Sequence, residues 1–147
     1  MSEVIYFDTS ALAKWYLNEE KSEDVEHYIQ EHGPVAISDL TVIEIRCLLA
    51  RRRREGSIDV KMESRIFATF QEDIRQNSLV CHPFPEGLTA GAVNLVSVHP
   101  ELPLRTLDAL HLVIAKEIQA DKLATADRIM VAAAKAMGVS VVRFDSR

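Results

Sequence analysis

The sequence predicts an α/β fold with a mainly parallel sheet covered by helices on both faces. Three observations predict it. Short, β-rich runs without polar alternation recur along the 147 residues, the pattern of strands buried on both faces. Stretches with helical apolar spacing separate them, and strand–helix alternation requires crossovers that cover the sheet. The connections are short, with no internal repeat or low-complexity linker. Residues 1–147 are therefore expected to form a single domain.

Taken in order, Val4–Phe7 reads as a buried strand. Thr9–Leu17 and Glu23–Glu31 follow as helices, the second closed by Gly33-Pro34. Val35–Ile37 is a second short strand. Leu40–Glu55 is a long helix stopped by Gly56, with arginines in its last turns at the negative end of the dipole. Ile58–Gln76 continues helically, with Ile66, Phe67 and Phe70 at core spacing. Leu79–Phe84 is a third strand bounded by Pro83 and Pro85. Gly87–Val98 and Leu104–Gln119 are helices separated by a proline-containing loop. Lys122–Thr125 is a strand, Asp127–Met137 a helix stopped by Gly138, and Val139–Phe144 a last strand.

At 48% hydrophobic and 6% aromatic residues, the chain can build an aliphatic core. A domain of this size buries roughly two thirds of its unfolded surface, so no metal or disulfide is needed to hold it together. Cys47 and Cys81 lie far apart without C-x-x-C spacing and are expected to be reduced, buried residues of a cytoplasmic protein. Met1–Val4 has no basic leader signature, and the apolar runs fall short of the ~20 residues that span a bilayer. The formal net charge of −5 argues against a surface coated in nucleic acid but leaves room for a local site. Arg46 and Arg51–Arg54 place five arginines within nine positions. They suit either RNA phosphates or a solvated helix end.

Four acids fall near four predicted helix starts. Asp8 follows the first strand, Glu44 lies about one turn into the helix after the second, Asp108 sits early in the helix after the proline loop, and Asp127 follows "KLAT". Each has an ordinary structural explanation. Asp8 suits a helix cap, Thr41 and Glu44 have capping-box spacing, and Asp108 and Asp127 complement a helix dipole. Together they suggest more, because strand-to-helix junctions of a parallel sheet share one edge, where ligands bind. Carboxylates that converge there raise one another's pKa unless a cation neutralises them. All-oxygen ligation suits Mg²⁺ or Mn²⁺. Zinc is disfavoured, since the five histidines form no H-x-x-x-H pair and the cysteines lack metal-ligand spacing.

"YFDTSALAKWYLNEE", "ISDLTVIEIRCLLARR", "LRTLDALHLVIAKE" and "LATADRIMVAAAKAMGVSVV" resemble, in order, the successive motifs of the PIN domain, and most of all its VapC-type toxin ribonucleases. The resemblance covers nearly the whole chain. It implies a three-layer α/β/α sandwich and an acidic Mg²⁺ or Mn²⁺ site that cleaves RNA to leave a 5′-phosphate. It also implies a VapB-type antitoxin whose tail covers the site, and a homodimer.

Carried over residue by residue, the resemblance makes Asp8, Glu44, Asp108 and Asp127 the catalytic and metal-binding acids. Thr9 and Thr125 match hydroxyl positions that orient carboxylates or water. Arg105, three residues before Asp108, is the best-placed phosphate contact, with Arg46 a weaker candidate. The loop "SVHPELPL" and the Arg51–Arg54 run match no family motif. His111 is expected to be packed and hydrogen-bonded rather than a general base. Trp15 suits either the core or a groove for a partner segment. Ser10 has no evident histidine partner, which disfavours a Ser-His-Asp hydrolase. A Mg²⁺-dependent phosphatase of haloacid-dehalogenase type wants an acid where Ser10 stands, and a receiver domain wants paired acids near the first strand end. A non-toxin PIN-like module that binds or processes RNA is the remaining alternative.

Overall fold

Strand alternation decides which residues face which layer of this molecule, for which a computed structural model describes residues 3–146. Met1, Ser2 and Arg147, which the expected domain and the leader reading include, lie outside the described residues. In chain order the elements are β1 (Ile5–Phe7), α1 (Thr9–Tyr16), α2 (Ser22–His32), β2 (Val35–Ser38), α3 (Asp39–Arg54), α4 (Val60–Arg75), β3 (Leu79–His82), α5 (Leu88–Val98), α6 (Thr106–Glu117), β4 (Lys122–Thr125), α7 (Arg128–Ala136) and β5 (Ser140–Arg143).

Among the described residues the five strands form one sheet in the order β3-β2-β1-β4-β5, every pair parallel. Successive side chains of a strand point to opposite faces. Ile5, Phe7, Val35, Ile37, Leu79 and Ala124 accordingly pack into one core with α1–α4. Tyr6, Ala36 and Leu123 pack into a second core with α5–α7. The cross-strand partners Tyr6, Ala36 and Leu123 share that second face because the register aligns them. This is the α/β/α sandwich and parallel sheet that the motifs imply. Chain order reverses between β1 and β4, so a crevice opens there, beyond the carboxyl ends of those strands.

Element limits shift by at most two residues from the sequence reading, and two of the shifts matter. β2 extends through Ser38, so α3 starts at once, and Ser38 rather than a loop residue stands at its N-cap. The Ser38 backbone N–H donates to Thr41 Oγ1 at 3.2 Å, so Thr41 closes the start of α3 with Ser38 and not with Glu44. β3 ends at His82, before Pro83, which cannot donate to the ladder. Gly56, at φ +83°, takes the left-handed conformation just past α3 that glycine adopts without a steric penalty.

The arginine run is largely spoken for. Arg51 pairs with Glu55, Arg52 with Glu19, and Arg53 with Glu63. Arg46 also binds Glu63, at 3.0 Å, and lies over the Phe67 ring. These contacts tie α3 to α4 and to the α1–α2 connection. The two arginines hold the buried Glu63 carboxyl below its usual range. The cysteines are free thiols, but Cys47 is exposed and Cys81 half-buried, against the expectation that both are buried. Cys47 lies on the outer side of α3, away from Ile45 and Leu49, which enter the core. Trp15 is half-buried against the first core rather than wholly inside it. Among the described residues no helix is long and apolar enough to cross a membrane.

Phe70 is fully buried between α4 and the first core and meets Tyr16 edge-on. Phe70→Ala should therefore cost about 3–5 kcal/mol through lost burial and a residual cavity. Urea denaturation should show a lower midpoint at nearly unchanged slope.

Candidate active site

The crevice between β1 and β4 is lined by short polar side chains at strand ends and helix starts. Asp8 follows β1 and caps α1, its Oδ1 accepting the Ala11 backbone N–H at 3.0 Å. The same oxygen accepts the Ser10 hydroxyl at 2.7 Å, while Oδ2 accepts the Thr125 hydroxyl at 2.6 Å from the end of β4. Ser10 and Thr125 also reach neighbouring backbone: Ser10 Oγ accepts the Ala126 N–H at 2.9 Å, and Thr125 Oγ1 the Asp127 N–H at 3.0 Å. Two hydroxyls thus sew the end of β1 to the end of β4. Burial pushes the Asp8 carboxyl above the usual carboxylate range. The His111 charge and the Thr125, Ser10 and Ala11 hydrogen bonds pull it back only in part.

Asp127 caps α7, accepting the Ile129 N–H on Oδ1 at 2.9 Å. Asp108 sits in the first turn of α6, and its Oδ2 accepts the Arg105 backbone N–H at 3.1 Å. The Arg105 guanidinium donates to both oxygens of Asp108, at 2.9 Å from Nε and 3.2 Å from Nη2. Nη2 also pairs with Asp127 Oδ2. Arg105 therefore joins two of the four acids.

Glu44 reaches the crevice from α3. Its Oε1 accepts the Thr9 hydroxyl at 2.7 Å and bonds His111 Nε2. His111 is buried one turn along α6 from Asp108, and its Nδ1 is hydrogen-bonded to the Tyr6 hydroxyl at 2.7 Å. Tyr6 in turn shares a 2.9 Å hydrogen bond with Ser38. The ring is held at both nitrogens, by Glu44 at Nε2 and at Nδ1 by the Tyr6 phenol, which burial keeps protonated. His111 is thus packed and hydrogen-bonded, as expected from sequence, and it holds one of the acids.

The structure places the four acids at one edge of the sheet in separate hydrogen-bonded groups: Asp8 with Ser10 and Thr125, Asp108 and Asp127 through Arg105, and Glu44 with Thr9 and His111. It does not bring in Arg46, whose guanidinium lies on Glu63 and Phe67. Ser10, Tyr6 and Ser38 are members that sequence reasoning missed, and His111 was not tied to Glu44. One signal was present: His111 lies three positions after Asp108, one helical turn away. Carboxylate oxygens at the mouth are the donor set of a hard divalent ion. A guanidinium already sits on two of them, so the cluster accommodates positive charge. As now arranged, no three His, Cys, Asp or Glu side chains among the described residues stand together as a metal-holding group. A cavity of about 520 Å³ between α5, α6 and α7, lined by Leu95, Val113 and Met137, contains none of the four acids.

The family model of the PIN domain matches residues 5–147. No curated protein matches the chain. Solved structures share the fold. Mycobacterium tuberculosis VapC20, described as a Sarcin-Ricin loop cleaving toxin, superposes with a TM-score of 0.69 at 18% identity, over 88% of this chain and 94% of that one. FitAcB from Neisseria gonorrhoeae gives 0.69 at 20% identity, over 94% and 96%. DNA-bound VapBC from Salmonella typhimurium gives 0.66 at 14% identity, over 98% and 99%.

The raised Asp8 carboxyl makes a signed prediction. The folded state binds this proton more tightly than the unfolded chain, so stability falls as pH rises through the folded pKa. Asp8→Asn removes that loss. In EDTA the variant should unfold at a higher temperature than wild type near pH 7. The difference should vanish below about pH 4, where the unfolded carboxyl is protonated too. Melting curves at several pH values check this, and a destabilised variant at neutral pH contradicts it.

Proposed function

The chain belongs to the PIN domain family, and from that premise we propose that it is a divalent-metal-dependent endoribonuclease, the toxin of a toxin–antitoxin pair. What supports the reading is that Asp8, Asp108 and Asp127 stand at the starts of α1, α6 and α7, and Glu44 in the second turn of α3, all at the edge of the sheet where β1 and β4 end. The similarity to VapC20, described as a Sarcin-Ricin loop cleaving toxin, and to a VapBC complex supports a cleaving toxin with an antitoxin partner. The acidic crevice suits a basic antitoxin segment. The whole chain 1–147 acts as one domain in this reading, as a homodimer in the cytoplasm.

The four acids would hold Mg²⁺ or Mn²⁺, to which their oxygens are suited. When bound, the ion supplies an activated water and offsets charge at the scissile phosphate and the departing 3′ oxygen. The protein's own contribution is placement. Thr125 and Ser10 fix the Asp8 carboxylate from both oxygens, so its rotamer does not have to be selected on binding. Thr9 and His111 hold Glu44, and Tyr6 and Ser38 hold His111. The N-termini of α1, α6 and α7 carry Asp8, Asp108 and Asp127, so the positive end of each helix dipole faces an acid. Arg105, at the mouth, is the cation best placed to meet an RNA phosphate.

This reading predicts RNA cleavage that requires Mg²⁺ or Mn²⁺, stops with EDTA and leaves 5′-phosphate ends. Asp8→Asn should keep the fold and lower the cleavage rate by more than the roughly 10–100-fold typical of losing an outer partner. Assays on labelled RNA with purified protein, alongside circular dichroism of the variant, decide it. Cleavage that survives EDTA or the Asp8 change would overturn it.

A further inference from the structure

We propose that Arg105 is the resident counter-cation of the acidic crevice, and that a divalent ion must displace it in order to bind. The inference rests on the metal-dependent reading above and extends it to how the site is filled and emptied. Three observations carry it. The guanidinium occupies both oxygens of Asp108 and one of Asp127, so two of the four acids already share a cation. Asp8 and Glu44 are held differently, by hydroxyls, a backbone N–H and His111. In this arrangement no group of three potential ligands stands ready for a metal among the described residues. A carboxylate lone pair that accepts a guanidinium N–H cannot at the same time bind a dication.

The arginine is built to leave. Its side chain is 62% exposed, against 7% for Asp108, so its outer end can move into water while the acid stays in place. Its anchor is separate from its charge. The Arg105 backbone N–H caps Asp108 at 3.1 Å, and that bond survives when the guanidinium swings away. The start of α6 and the position of Asp108 are then kept through the exchange. On these carboxylates the guanidinium offsets the repulsion between Asp108 and Asp127. Once displaced, the same charge stands free at the mouth. Metal affinity is therefore set partly by the ion pairs that must break.

The test is Mn²⁺ binding to wild type, Arg105→Gln and Arg105→Lys by titration calorimetry at fixed pH and salt. Arg105→Gln should bind Mn²⁺ more tightly, by up to about thirtyfold, the sum expected for two partly exposed ion pairs. Arg105→Lys keeps the charge without the fork and should fall between the two. In wild type, the Arg105 Nε–H signal, assigned by its loss in Arg105→Lys, should be protected in EDTA and lose that protection at saturating Mg²⁺. That measurement stands even if Arg105→Gln fails to fold. Equal or weaker Mn²⁺ binding by Arg105→Gln, or an Nε–H signal that Mg²⁺ leaves unmoved, overturns the displacement and leaves the metal reading intact. Absence of Mn²⁺ binding in all three proteins overturns both.

Discussion

Carboxylates gathered at one crevice repel each other, and the repulsion grows as water is excluded. Asp8 and Asp108 are buried, and Glu44 and Asp127 are partly so, at the same edge of the sheet. The surrounding structure answers that constraint group by group. Asp8 is met by two hydroxyls and a backbone N–H, Glu44 by a hydroxyl and an imidazole, and Asp108 and Asp127 by one guanidinium. The compensation at Asp8 is incomplete, since its carboxyl remains raised by burial. A position that holds a buried acid with no cation of its own stores a preference for positive charge. That preference is what a metal-dependent hydrolase requires of its site.

The fold supplies the convergence before any of these contacts form. In a parallel sheet every strand delivers its carboxyl end to the same edge, and the helices that lead back into strands begin there too. Asp8 and Asp127 flank the point where chain order reverses, between β1 and β4, and the three cross-strand pairs of that strand pair fix their relative position. Glu44 and Asp108 come from helices on opposite faces, α3 with the first core and α6 with the second. The crevice is thus held from both layers. Tyr6 links them: it is a strand residue in the second core whose hydroxyl reaches the histidine that holds Glu44.

The layer arrangement was legible in the sequence because it is a local pattern, and so was the place of Asp8 and Asp127 just beyond strand ends. Ile5–Phe7 reads as a strand from its own residues, and an acid just beyond a strand end is visible without knowing its neighbours. The relay from Ser38 through Tyr6 to His111 and Glu44 was not legible, because its members lie as much as 105 positions apart and only the register of β1 against β2 brings them together. The same reason hid the fate of Arg46. Nothing in "RCLLARRRREG" shows that the next helix turns back and offers Glu63 to two of its arginines. Thr41 and Glu44 have the spacing of a reciprocal cap, but β2 runs one residue further than expected, so Ser38 takes the cap position. Glu44 is left to point elsewhere.

Capping and ligation are not competing explanations for these acids, although a cap bond commits one carboxylate oxygen to a helix end. The oxygens show that the two uses divide within a single group. Asp127 gives Oδ1 to the start of α7 and keeps Oδ2 for the shared cation. Asp8 gives Oδ1 to α1 and meets β4 through Oδ2. A cap bond is short and directional, and it fixes the side-chain rotamer, so the second oxygen inherits a defined place relative to the sheet edge. The helix start that accounts for each acid structurally is therefore also the device that aims it. Folding and site assembly here are one event, because the bonds that end the strands and begin the helices are those that set the charges in position.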